Sequence, residues 1–170
     1  MNGGAKVELQ KNLIKLCSIL NHLSINYILI GGCAVLLHGY RRTTYDIDIL
    51  VDQSTENIER LKKALNEAFH TEEAYGINDN DVATYTVVRF APESEDIVVD
   101  IMGKVGEIDF EVAKNNIEMI DFEGVMIPVC GLSTLIETKK GIRPKDKDDL
   151  LFLIGKKEYL ERNKGRGLEG

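Results

Sequence analysis

The sequence has little of what would mark a secreted, membrane-spanning or nucleic-acid-coating protein. Among 170 residues there are three cysteines, Cys17, Cys33 and Cys130. The count is odd, the three lie far apart and none forms a CxxC pair, which argues against a disulfide framework and against structural zinc. Cys17 and Cys33 sit among apolar residues and read as plain buried thiols, so the expected compartment is the reducing cytoplasm. No apolar run approaches the roughly 20 residues of a membrane span. The first residues, Met1 to Lys6, carry no apolar core of a signal peptide. Basic residues are outnumbered, 21 Lys and Arg against 28 Asp and Glu, for a net charge of −7. That balance opposes non-specific binding to nucleic acid, which rests on Lys and Arg neutralising phosphates, but leaves room for a local basic site. The carboxylate excess suits recruitment of divalent cations and, equally, simple solubility. Internal repeats, low-complexity tracts and Pro/Ser linkers are also missing. The length suits one domain, expected over residues 1–160, followed by a polar, disordered tail over 161–170.

What is present is a regular alternation of helical and extended patterns. Leu9, Leu13, Leu16, Ile19, Leu20 and Leu23 fall at helical spacing over 7–23. Residues 26–30 form a short apolar run ending at Gly31-Gly32 and read as a strand, with a short helix over 33–39. Asp46-Ile47-Asp48-Ile49-Leu50-Val51 begins with strict alternation and reads as a strand. Ile58, Leu61, Leu65 and Phe69 give a helix over 55–70 its inner stripe, with Ser54 as N-cap. Residues 71–81 read as a loop. The runs 82–90 and 95–102 flank Ala91-Pro92-Glu93-Ser94 and predict an antiparallel pair. Residues 117–121 and 125–129 flank Glu123-Gly124 as a second hairpin. Two helices, over 132–140 and 145–155, close the chain. The sum is an α/β fold, a mixed β-sheet with flanking helices and a short helical C-terminus.

The chemistry concentrates around Asp46 and Asp48. On a strand, i and i+2 side chains share a face, about 6.5 Å apart. Two ionised carboxylates placed so repel each other. Solvent exposure relieves that repulsion, and so does a cation between them; Mg²⁺ suits the second case because it takes one or two carboxylates and keeps positions for water and phosphate oxygens. Gly31-Gly32 at the end of an apolar strand reads either as a tight strand-to-helix turn or as a place where backbone approaches phosphate. Asp100 lies inside the apolar run Ile97-Val98-Val99-Asp100-Ile101, where an unpaired charge is costly. Metal coordination, a salt bridge to a lysine, or a strand end reaching water would each remove that cost. Asp96 reads as a solvated strand start, and Asp52 as a cap for the following helix. Asp146 either orients a basic residue or caps the last helix. His38, in a short helix before a turn, reads as structural rather than as a base.

The string Gly31-Gly32-x-Ala34-x-x-x-His38-Gly39-x-x-Arg42-x-Thr44-x-Asp46-Ile47-Asp48, followed by Asp100 on a later strand, resembles the polymerase-beta-type nucleotidyltransferase superfamily. It looks most like the small stand-alone branch that includes the AbiEii-type toxin nucleotidyltransferases. Leu135-Ile136-Glu137-Thr138-Lys139 and Arg143-Pro144-Lys145-Asp146-x-x-Asp149-Leu150 resemble that branch's closing motif, with the motif's lysine falling on Lys139 or Lys140. The likeness covers roughly residues 25–155. It implies an Mg²⁺-dependent enzyme that moves a nucleoside monophosphate from an NTP, such as ATP, to a hydroxyl acceptor and releases pyrophosphate. Asp46, Asp48 and Asp100 would be the catalytic carboxylates holding two Mg²⁺ ions, with Mn²⁺ as a substitute. Gly31, Gly32, Arg42, Thr44 and Lys139 would contact the nucleotide. A toxin-like acceptor would be tRNA or protein, with an antitoxin or a second copy of the chain as partner. The alternatives are an antibiotic-type adenylyltransferase acting on a small molecule, and a catalytically silent binding protein or antitoxin. No membrane role is implied.

Overall fold

The computed structural model describes residues 2–140 and 143–166. The chain opens with helix α1 (Asn2–His22) and strand β1 (Tyr27–Ile30), then α2 (Gly31–Leu37), β2 (Asp46–Val51) and α3 (Thr55–Phe69). A 3-10 turn over Glu73–Gly76 and a short α4 (Asp81–Thr84) lead to β3 (Val88–Phe90) and β4 (Val98–Met102). A small hairpin of β5 (Lys104–Val105) and β6 (Ile108–Asp109) and the single turn α5 (Phe110–Ala113) come next. Strands β7 (Ile117–Phe122) and β8 (Val125–Cys130) and helices α6 (Leu132–Thr138) and α7 (Pro144–Lys164) complete it.

Six strands form one mixed sheet in the order β3-β4-β2-β1-β8-β7. The pairs β1–β2, β3–β4 and β7–β8 are antiparallel, and β2–β4 and β1–β8 are parallel. Every residue of central β1 is buried, because both faces are covered. Ile47, Ile49 and Val51 on one side of β2 join Leu16, Leu20, Leu61, Leu65 and Phe69 in the core. The expected inner stripe of α3 is buried as its spacing requires. Asn57, fully buried, accepts from the Asn26 amide at 2.8 Å and donates to the Asn26 and Asp52 carbonyls at 3.1 and 2.8 Å, so one side chain ties the start of β1 to the end of β2. The β7–β8 turn places Glu123 and Gly124 both at positive φ, 50° and 87°, the twist that a two-residue hairpin loop favours.

The differences from the sequence reading are local. Helix α1 begins at Asn2, and the second helix begins at Gly31 rather than 33. Residues 81–84 are helical, since the turn after Asn80 takes them before the chain extends. The elements over 104–113 carry too few residues for a periodicity to register. Ser54 stands at the N-cap position without a side-chain cap bond; instead the Asp52 carboxylate accepts from the Ser54 amide at 2.9 Å. Helix α7 runs through Lys164, so the first residues of the expected tail are its last turn. Residues 167–170 lie outside the described residues.

Candidate active site

Strand register brings the three carboxylates to one place. Asp46 and Asp48 share a face of β2, and Asp48 stands directly opposite Asp100 on the parallel neighbour β4. Asp100 is 6% exposed, while Asp46 and Asp48 are half-buried. All three line a cleft of about 540 Å³ together with Gly31, Gly32, Arg42, Thr44, Lys139 and Arg143. Every residue that the motifs singled out for nucleotide or metal thus borders the same space.

The cleft also holds a cation that the motifs did not single out. Arg89 on β3 is the cross-strand partner of Asp100. Its Nε and Nη2 donate to the two carboxylate oxygens of Asp100, each at 2.8 Å, and Nη2 lies 3.8 Å from Asp46 Oδ2. This is the two-pronged pairing for which a planar guanidinium is suited. The hydrogen bond to Asp100, and then its charge, raise the Arg89 pKa. The salt bridge that Asp100 required is therefore present, made by an arginine. Three carboxylates are the donor set of a hard cation such as Mg²⁺ or Mn²⁺, so the residue types fit. As the side chains stand, no three acidic, His or Cys residues among the described ones converge tightly enough to hold an ion; the Arg89 guanidinium lies between two of the three.

The glycine pair meets side chains of the protein itself. Gly31 has φ +65°, and a Cβ there would lie 2.1 Å from Asp48 Oδ2. A Cβ on Gly32 would lie 2.6 Å from Thr44 Oγ1 and 2.9 Å from Thr44 Cβ. The glycines let Asp48 and Thr44 lie against the first turn of α2. The Thr44 hydroxyl and the Cys33 thiol both donate to the Asp46 carbonyl, at 3.5 and 3.4 Å, fastening the start of β2 to that turn. Burial, followed by the charge of Asp48, pushes the Cys33 pKa up and keeps it a thiol.

The remaining charges of the cleft gather around two buried carboxylates. Asp149, 1% exposed, pairs with Arg42 and, at 3.0 Å, with Lys139. Asp146, 3% exposed, accepts from Lys139 at 3.1 Å and from Arg143 at 3.0 Å. Burial raises the Asp146 carboxyl, but the hydrogen bonds and charges of Lys139 and Arg143 outweigh it and hold the carboxyl below its usual range. Asp146 holds the cations of Lys139 and Arg143, and α7 has no side-chain cap bond. Of the two lysines, Lys139 is buried and borders the cleft, whereas exposed Lys140 pairs with Glu137 at 2.6 Å. His38 is buried away from these groups, its Nε2 2.8 Å from the Cys130 carbonyl, a structural position. Asp96 is exposed beyond the start of β4.

Among the described residues, no helix is long and apolar enough to cross a membrane. No curated protein matches the sequence. The chain resembles the crystal structure of a Thermotoga maritima protein proposed to be a nucleotidyltransferase, with a TM-score of 0.53 and 18% identity over 94% of each chain. At that identity the likeness concerns the fold. The family model described as aminoglycoside-2''-adenylyltransferase matches residues 12–152, a stretch that takes in Gly31, Asp46, Asp100, Lys139 and Asp149. Neither match extends to the AbiEii-type branch. With the mixed sheet and the clustered motif residues, the family match identifies the chain as a nucleotidyltransferase belonging to the aminoglycoside-2''-adenylyltransferase family.

Proposed function

We propose that this protein transfers the nucleoside monophosphate of an NTP to the hydroxyl of a small polyhydroxyl compound. The observation that carries this reading is the division of charge in one cleft: carboxylates from β2 and β4, and cations from the loop after α2, from the residue that ends α6 and from the residue that precedes α7. A triphosphate needs both, one set to hold its divalent cations and the other to meet its phosphate oxygens. Asp46, Asp48 and Asp100 are the ligands in this reading, and bound Mg²⁺ supplies charge neutralisation at the entering and leaving oxygens. Arg42 and Lys139, held by Asp149 and Asp146, face the phosphates, and Thr44 and the Gly31-Gly32 turn form the floor beneath them. The acceptor oxygen bonds to the α-phosphorus, the bond to the β-phosphate oxygen breaks, pyrophosphate leaves and the acceptor proton passes to water. The chain's contribution is positioning and fixed charge.

Two observations favour a small acceptor over tRNA. The family match is to enzymes described as adenylating aminoglycosides. The net charge is −7, and the basic stretches Lys139-Lys140 and Arg143-Pro144-Lys145 are too short to offset it along a phosphate backbone. The test is incubation with each labelled NTP and Mg²⁺ in the presence of an aminoglycoside, total tRNA or cell protein. Label in the small-molecule fraction is the expected result; label in RNA or protein alone overturns the acceptor assignment, and no transfer of any nucleotide overturns the activity.

A further inference from the structure

We propose that Arg89 is the resident counter-ion of the carboxylate site, competing with divalent metal for Asp100 and Asp46, so that metal binds only as the guanidinium withdraws. The proposal rests on the reading of these carboxylates as metal ligands. The competition follows from geometry. Both oxygens of Asp100 are engaged by the guanidinium at 2.8 Å, and the same Nη2 lies 3.8 Å from Asp46. An ion shared by these two carboxylates needs an Asp100 oxygen that the guanidinium already engages, and the same Nη2 crowds Asp46 Oδ2. A monovalent cation on the same carboxylates also repels an incoming divalent one.

The two partners differ in freedom. The Asp100 side chain is 8% exposed and fixed within β4, whereas that of Arg89 is 61% exposed and projects from a three-residue edge strand. Withdrawal is therefore a rotation of one long, solvent-reaching side chain, with no change in the sheet. The cleft supplies the complementary step. A nucleoside triphosphate brings anionic oxygens that offer the released guanidinium a new partner and give the metal additional ligands. Metal alone should bind weakly, metal and nucleotide should bind cooperatively, and Arg89 should be the source of much of the coupling.

The test is calorimetric titration of the nucleotide-free protein with MnCl₂, for the parent and for Arg89→Gln, Arg89→Lys and Asp46→Asn. Arg89→Gln is expected to bind Mn²⁺ about tenfold more tightly than the parent, the scale of losing one well-formed charge pair. Arg89→Lys should fall between them, since it keeps the charge and loses the fork. Thermal unfolding supplies a second readout: without metal Arg89→Gln should melt below the parent, and Mn²⁺ should raise its melting temperature by more. Equal or weaker Mn²⁺ binding by Arg89→Gln, with the parent binding and Asp46→Asn not, overturns the competition and leaves the metal-site reading intact. Absence of Mn²⁺ binding in every variant, or undiminished binding in Asp46→Asn, overturns the metal-site reading and this proposal with it.

Discussion

The carboxylate of Asp48 occupies the volume that a β-carbon on Gly31 would fill, with Oδ2 2.1 Å from that position. The glycine-rich turn and the Asp-x-Asp strand are thus one packed unit, and neither can change alone. Gly31→Ala should expel the Asp48 side chain and also place an alanine at φ +65°, at a cost of about 1–2 kcal/mol from the backbone alone. Urea denaturation should show that loss, and nucleotidyl transfer should fall with it. A variant as stable and as active as the parent would mean that Asp48 has another place to lie.

Gly32 makes the same argument against Thr44. Gly32→Val should destabilise the fold by crowding the Thr44 side chain, and Gly32→Ala combined with Thr44→Gly should recover much of the stability. A Gly32→Ala variant that melts with the parent and needs no second substitution would show that Thr44 yields freely.

Asp100→Asn removes the partner of Arg89. The crowding of three carboxylates suggests that losing one charge should stabilise the metal-free protein, but the bidentate Arg89 contact reverses the sign. Thermal melts without metal should show the variant below the parent, and transfer activity should be largely lost. A raised melting temperature would mean that repulsion outweighs the pair.

Asp146 gives a pH signature. Its folded-state pKa is held down by Lys139 and Arg143, so its stabilising contribution is complete above the unfolded value near ~3.9 and disappears as pH falls through the lower folded value. Asp146→Asn should cost about 2 kcal/mol at pH 7, and the gap between variant and parent should narrow toward pH 3. A gap independent of pH would assign the loss to packing.

The three thiols should be silent in the native protein. Cys17 and Cys130 are buried and pushed up to about 12, and burial pushes Cys33 up as well. A thiol reagent at pH 8 should label none of the three in the folded state and all three in guanidinium. Fast labelling of one would reveal local opening around it.

Much of this protein was legible in the sequence because local periodicity and burial agree there. Alternation across 46–51 fixes which face of β2 carries Asp46 and Asp48, and the stripe Ile58-Leu61-Leu65-Phe69 fixes the inner face of α3. The Gly-Gly, Asp-x-Asp and closing motifs indicated which residues would meet in one cleft. Only the tertiary structure decided what those residues touch. A four-residue turn at 91–94 would set Arg89 opposite Asp96; the longer connection between β3 and β4 sets it opposite Asp100, and no pattern within either strand encodes that register. Likewise Asp149 lies more than 100 residues from Arg42, and only the packing of α7 beside the cleft makes it the anchor of Arg42. Periodicity records which side of an element faces inward. Charge pairing across elements depends on register and helix placement, which the whole core sets at once.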